Sequence, residues 1–495
     1  MCAATIAMTA CTATPTHLEA ASAGQIGLAG SGGDPPAART HSPSPAVSVL
    51  ASTAPDALTV AFTRRLYSSA PVVVVAAARR ATAAAKAAAA AHAPLLLSAA
   101  SVSAPLLAEI ADLHPSAVLA VGVTPATLAA RLPGVQVVTS AAKLPATDAP
   151  APLRDVAVLV HRGGGPAVVA VTVTARVAGA TVVVVKGNDP RADPAAIRAL
   201  ARVRPHGVLA IGRGFGPAGR LAARVAVAAT GRQLPGGGQV LFPGHRLVAL
   251  YGNPTTPSLG VLGQQDLPAS IARAREVAAQ YRPLSRVPVV PAFEIIATVA
   301  QAAPGPDGTY SYVTPVSQLR PWVREATAAG MYVVLDLQPG RASLLTQAKY
   351  YKSLLALPNV GLALDAEWKL QPGQVPLRQI GSVSITEVNS VVRWLAALTA
   401  RDHLPQKLLV LHQFRLSMII GERYLDTSHD DLAILIHMDG QGTPSEKQQT
   451  WDAVTAAAPR RVFFGWKNFY VKDDPTLSPS ETMTKRPTPV MISYQ

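Results

Sequence analysis

The sequence predicts an α/β protein whose C-terminal half is a (β/α)8, TIM-like barrel, preceded by tandem small parallel α/β modules and a disordered N-terminal tract. Three observations lead to this fold class. After residue 245, eight short apolar runs alternate with segments of helical character. Between residues 50 and 235, one set of apolar runs occurs twice in the same order. Up to about residue 48, small residues and proline dominate the chain.

Residues 1–48 are predicted to be a lipoprotein-signal-like segment followed by a flexible linker. The stretch T-I-A-M-T-A-C ends at Cys11 and resembles the end of a bacterial lipoprotein signal, in which small residues precede the lipidated cysteine. The resemblance implies lipidation of Cys11 and a lipid anchor to the membrane. The alternative is an untargeted, disordered N-terminus. Cys2 and Cys11 are the only cysteines, so a structural disulfide in the body of the protein is excluded.

Residues 50–145 and 150–235 are predicted to be two copies of one α/β module. Buried strands are expected at 69–77, 93–98 and 116–122 in the first copy and at 156–161, 180–186 and 207–212 in the second. The third strands match best, because H-P-S-A-V-L-A-V-G (114–122) aligns with R-P-H-G-V-L-A-I-G (204–212). Helical segments separate the strands, so each copy is expected to form a parallel sheet.

The order of elements in both copies resembles the type 2 cell wall binding repeat of Gram-positive (actinobacterial) surface proteins. In that family a run like A-P-L-L-L-S (93–98) precedes a helix and then a strand like A-V-L-A-V-G (117–122). The resemblance implies non-covalent attachment to an anionic cell-wall polymer or polysaccharide.

The charge of the front half suits such a partner. Residues 1–239 hold 20 basic and 9 acidic residues, a net of +11 within the +15 of the whole chain. The arginines are scattered among alanine and valine without interleaved aromatic residues, so nucleic acid is not expected as a partner. The simpler alternative is that arginine serves only solubility here.

Glycine-rich loops follow two strands of the second copy, at 160–166 and 211–217. Gly212, Gly214 and Gly216 would allow a backbone to approach a phosphate, but neither loop has the spacing of a dinucleotide-binding motif. Turn glycines are therefore favoured over nucleotide binding. Pro235 to Gly244 is rich in turn-forming residues and is predicted to be the linker between the modules and the barrel.

Residues 245–495 are predicted to form the barrel. Ser384 and Glu387 are spaced as a capping box at the start of one intervening helix. The alternative fold is an open, doubly wound sheet. The eight predicted strands lie at 247–253, 287–294, 331–338, 359–370, 407–413, 432–439, 461–468 and 489–495.

Polar and aromatic residues end most of these runs. In a barrel the carboxyl ends of all strands meet at one face, so these side chains are expected to converge there. The candidates are Tyr251, Asn253, Glu294, Asp336, Gln338, Asp365, Glu367, Trp368, His412, Gln413, His437, Asp439, Trp466, Lys467, Asn468 and Tyr494.

The sequence D-A-E at 365–367 carries the main functional hypothesis. Two residues apart on a strand, Asp365 and Glu367 are predicted to share one face. The D-x-E strand ending resembles that of barrel glycoside hydrolases, including lysozyme-type muramidases and chitinases. In those families the Glu donates a proton and the nearby Asp tunes it. The resemblance therefore implies that Glu367 is the general acid and Asp365 its electrostatic partner.

Glycosidic bond cleavage also requires a second carboxylate, for which Glu294, Asp336 and Asp439 are all candidates. Trp368, Trp466 and Tyr251 could stack on sugar rings, while His412, His437 and Gln338 could orient substrate hydroxyls. Asn253, Gln413, Lys467, Asn468 and Tyr494 complete the predicted substrate-binding set.

This glycoside hydrolase hypothesis involves no cofactor and no metal. Two other functions stay open. In a metal-dependent hydrolase, His412, His437, Asp439 and Asp336 would be the ligands. In a non-catalytic surface protein, the barrel would bind carbohydrate without turnover. The sequence thus predicts a secreted, envelope-associated protein. Whether it is an enzyme and what its oligomeric state is stay open at this point.

Overall fold

A computed structural model describes residues 34–495 of the chain. The predicted lipidation site at Cys11 lies outside these residues. Within them, no helix combines the length and the apolar character that crossing a bilayer requires.

The front of the chain forms two four-stranded sheets and the helices that cover them. Most helices have proline in the first turn, where the missing N–H costs nothing. The first set of elements is β1 (Arg39–Thr40), β2 (Val47–Leu50), α1 (Pro55–Thr63), β3 (Tyr67–Ser69), β4 (Val72–Ala77), α2 (Ala81–Ala90), β5 (Leu95–Ser98), α3 (Ala104–Asp112), β6 (Ala117–Val121), α4 (Pro125–Ala129) and β7 (Gln136–Val138). The second set is β8 (Val156–His161), α5 (Pro166–Val177), β9 (Thr181–Val185), α6 (Pro194–Val203), β10 (Gly207–Ile211) and α7 (Ala218–Ala229).

The two sheets share one strand order, but they take their fourth strand from different parts of the chain. The first sheet runs β5-β4-β6-β7 and the second runs β9-β8-β10-β2, all parallel. The second module therefore borrows β2, which lies before the first module in sequence. The predicted flexible tract to residue 48 is thus partly wrong, because β1 and the start of β2 lie inside it. Val47 pairs with Val208, so β2 satisfies backbone groups that β10 would otherwise expose.

The modules also share a hydrophobic core. Val73 and Val75 of the first sheet and Val156 and Val158 of the second belong to one buried cluster. The Tyr67 hydroxyl donates to a carbonyl of α5 at 2.9 Å. The two copies consequently form one packed unit.

The rest of the chain is the barrel. Its elements are β11 (Arg246–Gly252), α8 (Leu267–Tyr281), β12 (Val289–Ala300), β13 (Ser311–Val313), α9 (Val316–Ala328), β14 (Tyr332–Leu337), α10 (Leu344–Tyr350), α11 (Lys352–Leu355), β15 (Val360–Asp365), β16 (Val383–Ser384), α12 (Ile385–Arg401), β17 (Lys407–His412), β18 (Ile419–Ile420), β19 (Leu432–Met438), α13 (Pro444–Ala457), β20 (Phe463–Asn468), α14 (Pro479–Thr482) and β21 (Met491–Tyr494).

Eight of these strands close into a parallel, TIM-like barrel in chain order: β11, β12, β14, β15, β17, β19, β20 and β21. Closure is direct, because Leu247 of the first barrel strand pairs with Met491 of the last. The prediction of eight strands is confirmed, and the open-sheet alternative is wrong. Ser384 caps α12 as predicted by accepting from the Glu387 amide. The Glu387 carboxylate, however, does not complete the capping box; it accepts instead from the Leu344 amide at 2.9 Å and from Lys369.

The predicted linker closes one end of the barrel. Leu241 and Phe242, a short apolar interruption among turn-forming residues, are buried against the inward-facing Leu247, Ala249 and Leu408. The barrel end where the strands begin, called the lower end below, is thereby sealed by apolar packing. The reactive groups lie at the opposite, upper end.

Candidate functional site

The upper layer of the barrel interior is polar. Alternate residues of a strand point to one face, and small or apolar residues such as Ala249, Ala292, Val334 and Ala363 fill the interior below. Two residues further along each strand the interior becomes ionisable or polar. This upper layer consists of Tyr251, Glu294, Asp336, Asp365, His412, His437, Lys467 and Ser493, and all of them are buried.

His412 lies at the centre of this layer. Its Nδ1 is 2.8 Å from Asp439 Oδ2 and its Nε2 is 2.9 Å from Glu294 Oε1. Asp336 Oδ1 lies 4.0 Å from the same Nε2. A ring with a carboxylate at each nitrogen donates from both, so His412 is held as an imidazolium.

The electrostatics follow from that contact. Burial alone would lower the pKa of His412, but Asp439 and Glu294 more than reverse this and raise the pKa well above its usual value. For Asp439 the signs are reversed. Burial alone would raise the pKa of Asp439, but the adjacent His412 imidazolium lowers it below its usual value. Asp439 and His412 are therefore a buried ion pair.

Two further carboxyl groups of this layer hold their protons more tightly. Burial raises the pKa of Asp336 to about 6, against the opposing effect of His412. Burial and the charge of Asp336 raise the pKa of Asp365 well above its usual value. Within residues 34–495, one oxygen each of Glu294, Asp336, Asp365 and Asp439 is buried without a hydrogen-bond partner.

Tyr251 links the acids to Lys467. Its hydroxyl donates to Asp336 Oδ2 at 2.9 Å, and the Lys467 ammonium lies 3.4 Å from the centre of its ring. Gln338 Nε2 lies 3.4 Å from the same hydroxyl. Tyr251 is buried in this network, so its ring packs against protein groups and does not present the open stacking face predicted for it.

Glu367 lies above this layer, but not as the strand pattern predicted. The fourth barrel strand ends at Asp365, and residues 366–368 form a single 3₁₀ turn. Asp365 and Glu367 are therefore not two residues on one strand face. The turn leaves Glu367 and Trp368 partly exposed, and both line a cavity of about 410 Å³. Burial and the charge of Asp439 raise the pKa of Glu367.

His437 is separate from the acids. Its Nε2 is 2.7 Å from the Ser493 hydroxyl, and burial together with the positive His412 lowers its pKa well below the usual value. Its Nδ1 faces Gly465, where a Cβ atom would lie only 2.1 Å away. Glycine at 465 thus makes room for a neutral imidazole.

The predicted ligand set for a metal is only partly assembled. Asp365, His412 and Asp439 each offer an atom, and these atoms lie within 4.8 Å of one another. Both nitrogens of His412 are already bonded to carboxylates, so it could bind a metal only after losing one of those contacts. His437 bonds to Ser493 rather than to this group.

Several predicted substrate contacts lie elsewhere. Because they are one residue out of phase with the upper layer, or follow it into a loop, they pack against the surrounding structure. Trp466 packs on Trp451 and bonds to Asn468, Tyr494 bonds to Tyr281, Gln413 bonds to Glu422, and Asn253 bonds to the Ile296 carbonyl.

The residues at this end that were not predicted include Ser493, Arg378 and Arg415. Ser493 follows the same inward alternation and could have been found by extending it. Arg378 and Arg415 lie in the loops after the fourth and fifth barrel strands and line the cavity beside Glu367. Their positions depend on loop conformation, which strand periodicity does not reveal.

Fold and site together define a TIM-like barrel protein with a buried ionisable layer and a partly exposed acid at its upper end. No protein-family model, curated protein or solved structure matches the chain.

Proposed function

We propose that the barrel hydrolyses glycosidic bonds of a cell-envelope polysaccharide, with Glu367 as the proton donor. The observation that carries the proposal is the position of Glu367, a partly exposed acid beside a cavity and within the electrostatic reach of a buried, ionised carboxylate, Asp439. Cleavage of a glycosidic bond requires one carboxyl group that holds its proton and a second that is ionised.

The pKa values of these two acids are shifted in opposite directions. Burial and the charge of Asp439 raise the pKa of Glu367, whereas His412 keeps the pKa of Asp439 low. Such a divergence is typical of acid and base pairs in active sites. It favours Asp439 over Glu294 and Asp336 as the second carboxylate, because the charge of Asp439 is the largest Coulombic contribution to the raised pKa of Glu367.

The neighbouring side chains suit these roles. Trp368 lies beside Glu367 in the cavity and provides an aromatic face for a sugar ring. Asp365, with its raised pKa, acts as the electrostatic partner of Glu367. His412 is a positioning residue, because it acts through Asp439 rather than through contact with substrate.

The front modules are proposed to attach the protein to the cell wall through an anionic polymer. The net charge of +11 over residues 1–239 and the resemblance to cell wall binding repeats support this. An extracellular, envelope location and a lipid anchor at Cys11 belong to the same proposal. Binding carried by arginine should weaken as salt rises, which a pull-down with purified cell wall at increasing ionic strength measures.

The test of catalysis compares wild type with Glu367→Gln on purified cell wall, with release of reducing sugar as the readout. Loss of the proton donor should reduce the rate by about 100-fold or more. Glu387→Gln is the matched control, because that carboxylate bonds to Lys369 and Leu344 and does not line the cavity. It should retain the wild-type rate.

The pH dependence gives a second readout. The donor acts only while protonated, so the wild-type rate should fall as pH rises through the raised pKa of Glu367. The residual rate of Glu367→Gln should not show this fall with rising pH.

Equal release of reducing sugar by wild type and Glu367→Gln would contradict the assignment of Glu367 as the proton donor. Wall binding without release by either protein would favour the non-catalytic alternative. Loss of wild-type release on addition of a chelator would favour the metal-dependent one.

A further inference from the structure

The cavity beside Glu367 is built from two loops and carries positive charge. Glu367 and Trp368 form one wall, and Arg378 and Arg415 come from the loops after the fourth and fifth barrel strands. Its volume of about 410 Å³ lies in the range of small-molecule sites.

The loop that carries Arg378 is anchored at both ends. The Gly381 amide donates to the Glu367 carbonyl at 2.7 Å, and the Ser382 amide donates to the Lys369 carbonyl at 3.1 Å. A Cβ atom at Gly381 would lie 2.4 Å from the Glu367 carbonyl oxygen, so only glycine permits this approach. Arg341 holds the middle of the loop by donating to the Gln374 carbonyl at 2.8 Å. These contacts hold the loop backbone beside Glu367, and the exposed Arg378 side chain lines the same cavity.

Neither cavity arginine pairs with an acid in the described part of the chain, although the Arg415 guanidinium lies 5.9 Å from the centre of the Phe414 ring. Within residues 34–495, Arg378 and Arg415 form no hydrogen bond and no ion pair with a carboxylate. Other arginines of the upper end are engaged. Arg341 bonds to Gln374 and lies over the Tyr310 ring, and Arg423 bonds to the Tyr424 hydroxyl and lies over its ring. Two exposed guanidinium groups with no hydrogen-bonded or acidic partner in residues 34–495 therefore line one cavity next to an acid and an indole.

We propose that this cavity selects a saccharide that carries an anionic group, with Arg378 and Arg415 binding the anion and Trp368 contacting the sugar ring. The inference rests on the proposed function, since it assumes that Glu367 acts on a glycan. Guanidinium groups match the geometry of carboxylate and of phosphate, and both chemistries occur as substituents of sugars. The residues thus define the substrate class as an acidic glycan rather than a neutral one.

The test uses the full chain and three sugars that share one ring: N-acetylglucosamine, N-acetylmuramic acid and N-acetylglucosamine 6-phosphate. They are neutral, carboxylated and phosphorylated. Ligand-observed NMR titrations should show wild type binding at least one anionic sugar about tenfold more tightly than the neutral one, as expected for two solvent-exposed charge pairs. The anionic sugar that binds more tightly identifies the substituent.

The double variant Arg378→Gln/Arg415→Gln should lose this preference. The control Arg423→Gln should keep it, because Arg423 lies at the same end but bonds to Tyr424 and does not line the cavity. The front modules are identical in all three proteins, so any binding there cancels in the comparison. Equal affinity of wild type for all three sugars, or an unchanged preference in the double variant, would overturn the proposal.

Failure of this inference is distinguishable from failure of the proposed function. Wild type that prefers anionic sugars, but releases no reducing sugar from any glycan, would retain the specificity assignment and reject catalysis. Wild type that hydrolyses neutral and acidic glycans equally, with loss of rate in Glu367→Gln, would retain catalysis and reject the specificity.

Discussion

The two ends of the barrel bury charge in opposite ways. At the lower end, Lys407 donates from Nζ to the carbonyls of Leu357 and Val360 at 2.7 and 3.0 Å, and Arg246 donates to a carbonyl and to a serine hydroxyl. At the upper end, Glu294, Asp336, Asp365 and Asp439 each keep a buried oxygen without a partner within residues 34–495. The lower end uses its charges to join strands and loops, whereas the upper end leaves acceptor capacity unused.

This difference has a physical consequence. A buried polar atom without a partner costs stability, and several of them in one place cost more because the local dielectric is low. Proteins tolerate such a cost mainly at functional sites. Charge changes at the two ends should therefore affect stability in different ways.

The largest effect is expected at the upper end of the barrel, for Asp439→Asn. The change removes the ionised partner of His412 and leaves a buried imidazolium with Glu294 alone, so the free energy of unfolding at pH 7 should fall by about 4 kcal/mol. Urea unfolding followed by circular dichroism measures it. Asp365→Asn is the control: burial raises the pKa of Asp365 well above its usual value and so favours the neutral form that the amide mimics, and this variant should lose much less stability than Asp439→Asn. Equal losses in both variants would contradict the ion-pair assignment.

The next largest effect is a pH dependence from the lower end. Burial lowers the pKa of Lys407 to about 7, while an unfolded lysine titrates near a pKa of about 10.4. Between these values the unfolded chain binds more protons, so stability rises with pH. From about pH 7 to about pH 10, Lys407 should add about 3 kcal/mol to the free energy of unfolding.

Lys407→Met should lack this increase. Urea unfolding of both proteins at the two pH values measures the difference, and the variant controls for every other titrating group. Parallel pH profiles for wild type and variant would show that Lys407 stays charged in the folded protein.

The smallest effect concerns the contact between the second module and the lower end. Asp430 accepts from Arg191 at 2.6 Å and from Arg224 at 2.8 Å. The Asp430 side chain is 38% exposed, so Asp430→Asn should cost about 1 to 2 kcal/mol rather than the larger cost of a fully buried pair. Asp402→Asn, which breaks a pair with the mostly exposed Arg401, should cost under about 0.5 kcal/mol. Thermal unfolding ranks the two variants by their loss of stability. A loss in Asp402→Asn as large as that in Asp430→Asn would show that the contact between the module and the barrel stabilises the protein no more than a surface ion pair does.

Much of the fold was predictable because it depends on local patterns. Apolar runs such as that ending at Asp365 become buried parallel strands wherever both faces of the sheet are covered, and eight of them in alternation with helices close a barrel. The borrowed strand β2 was not predictable, since V-S-V-L at 47–50 is too short to indicate which sheet it joins. The apolar plug at Leu241 and Phe242 was similarly obscured by the turn-forming residues around it.

The sequence by itself determined which residue types end the barrel strands and therefore that Glu294, Asp336, Asp365, His412 and Asp439 gather at one end. Tertiary structure alone decided how they are used. A single 3₁₀ turn separates Glu367 from Asp365. Lys467 points into the barrel and Trp466 points out of it, because neighbouring residues of a strand face opposite sides. The loop contact at Gly381 brings Arg378 into the cavity beside Glu367. The reason is physical: periodicity along a chain reports which side chains share an element, whereas protonation and partner choice depend on distances between elements that are far apart in sequence.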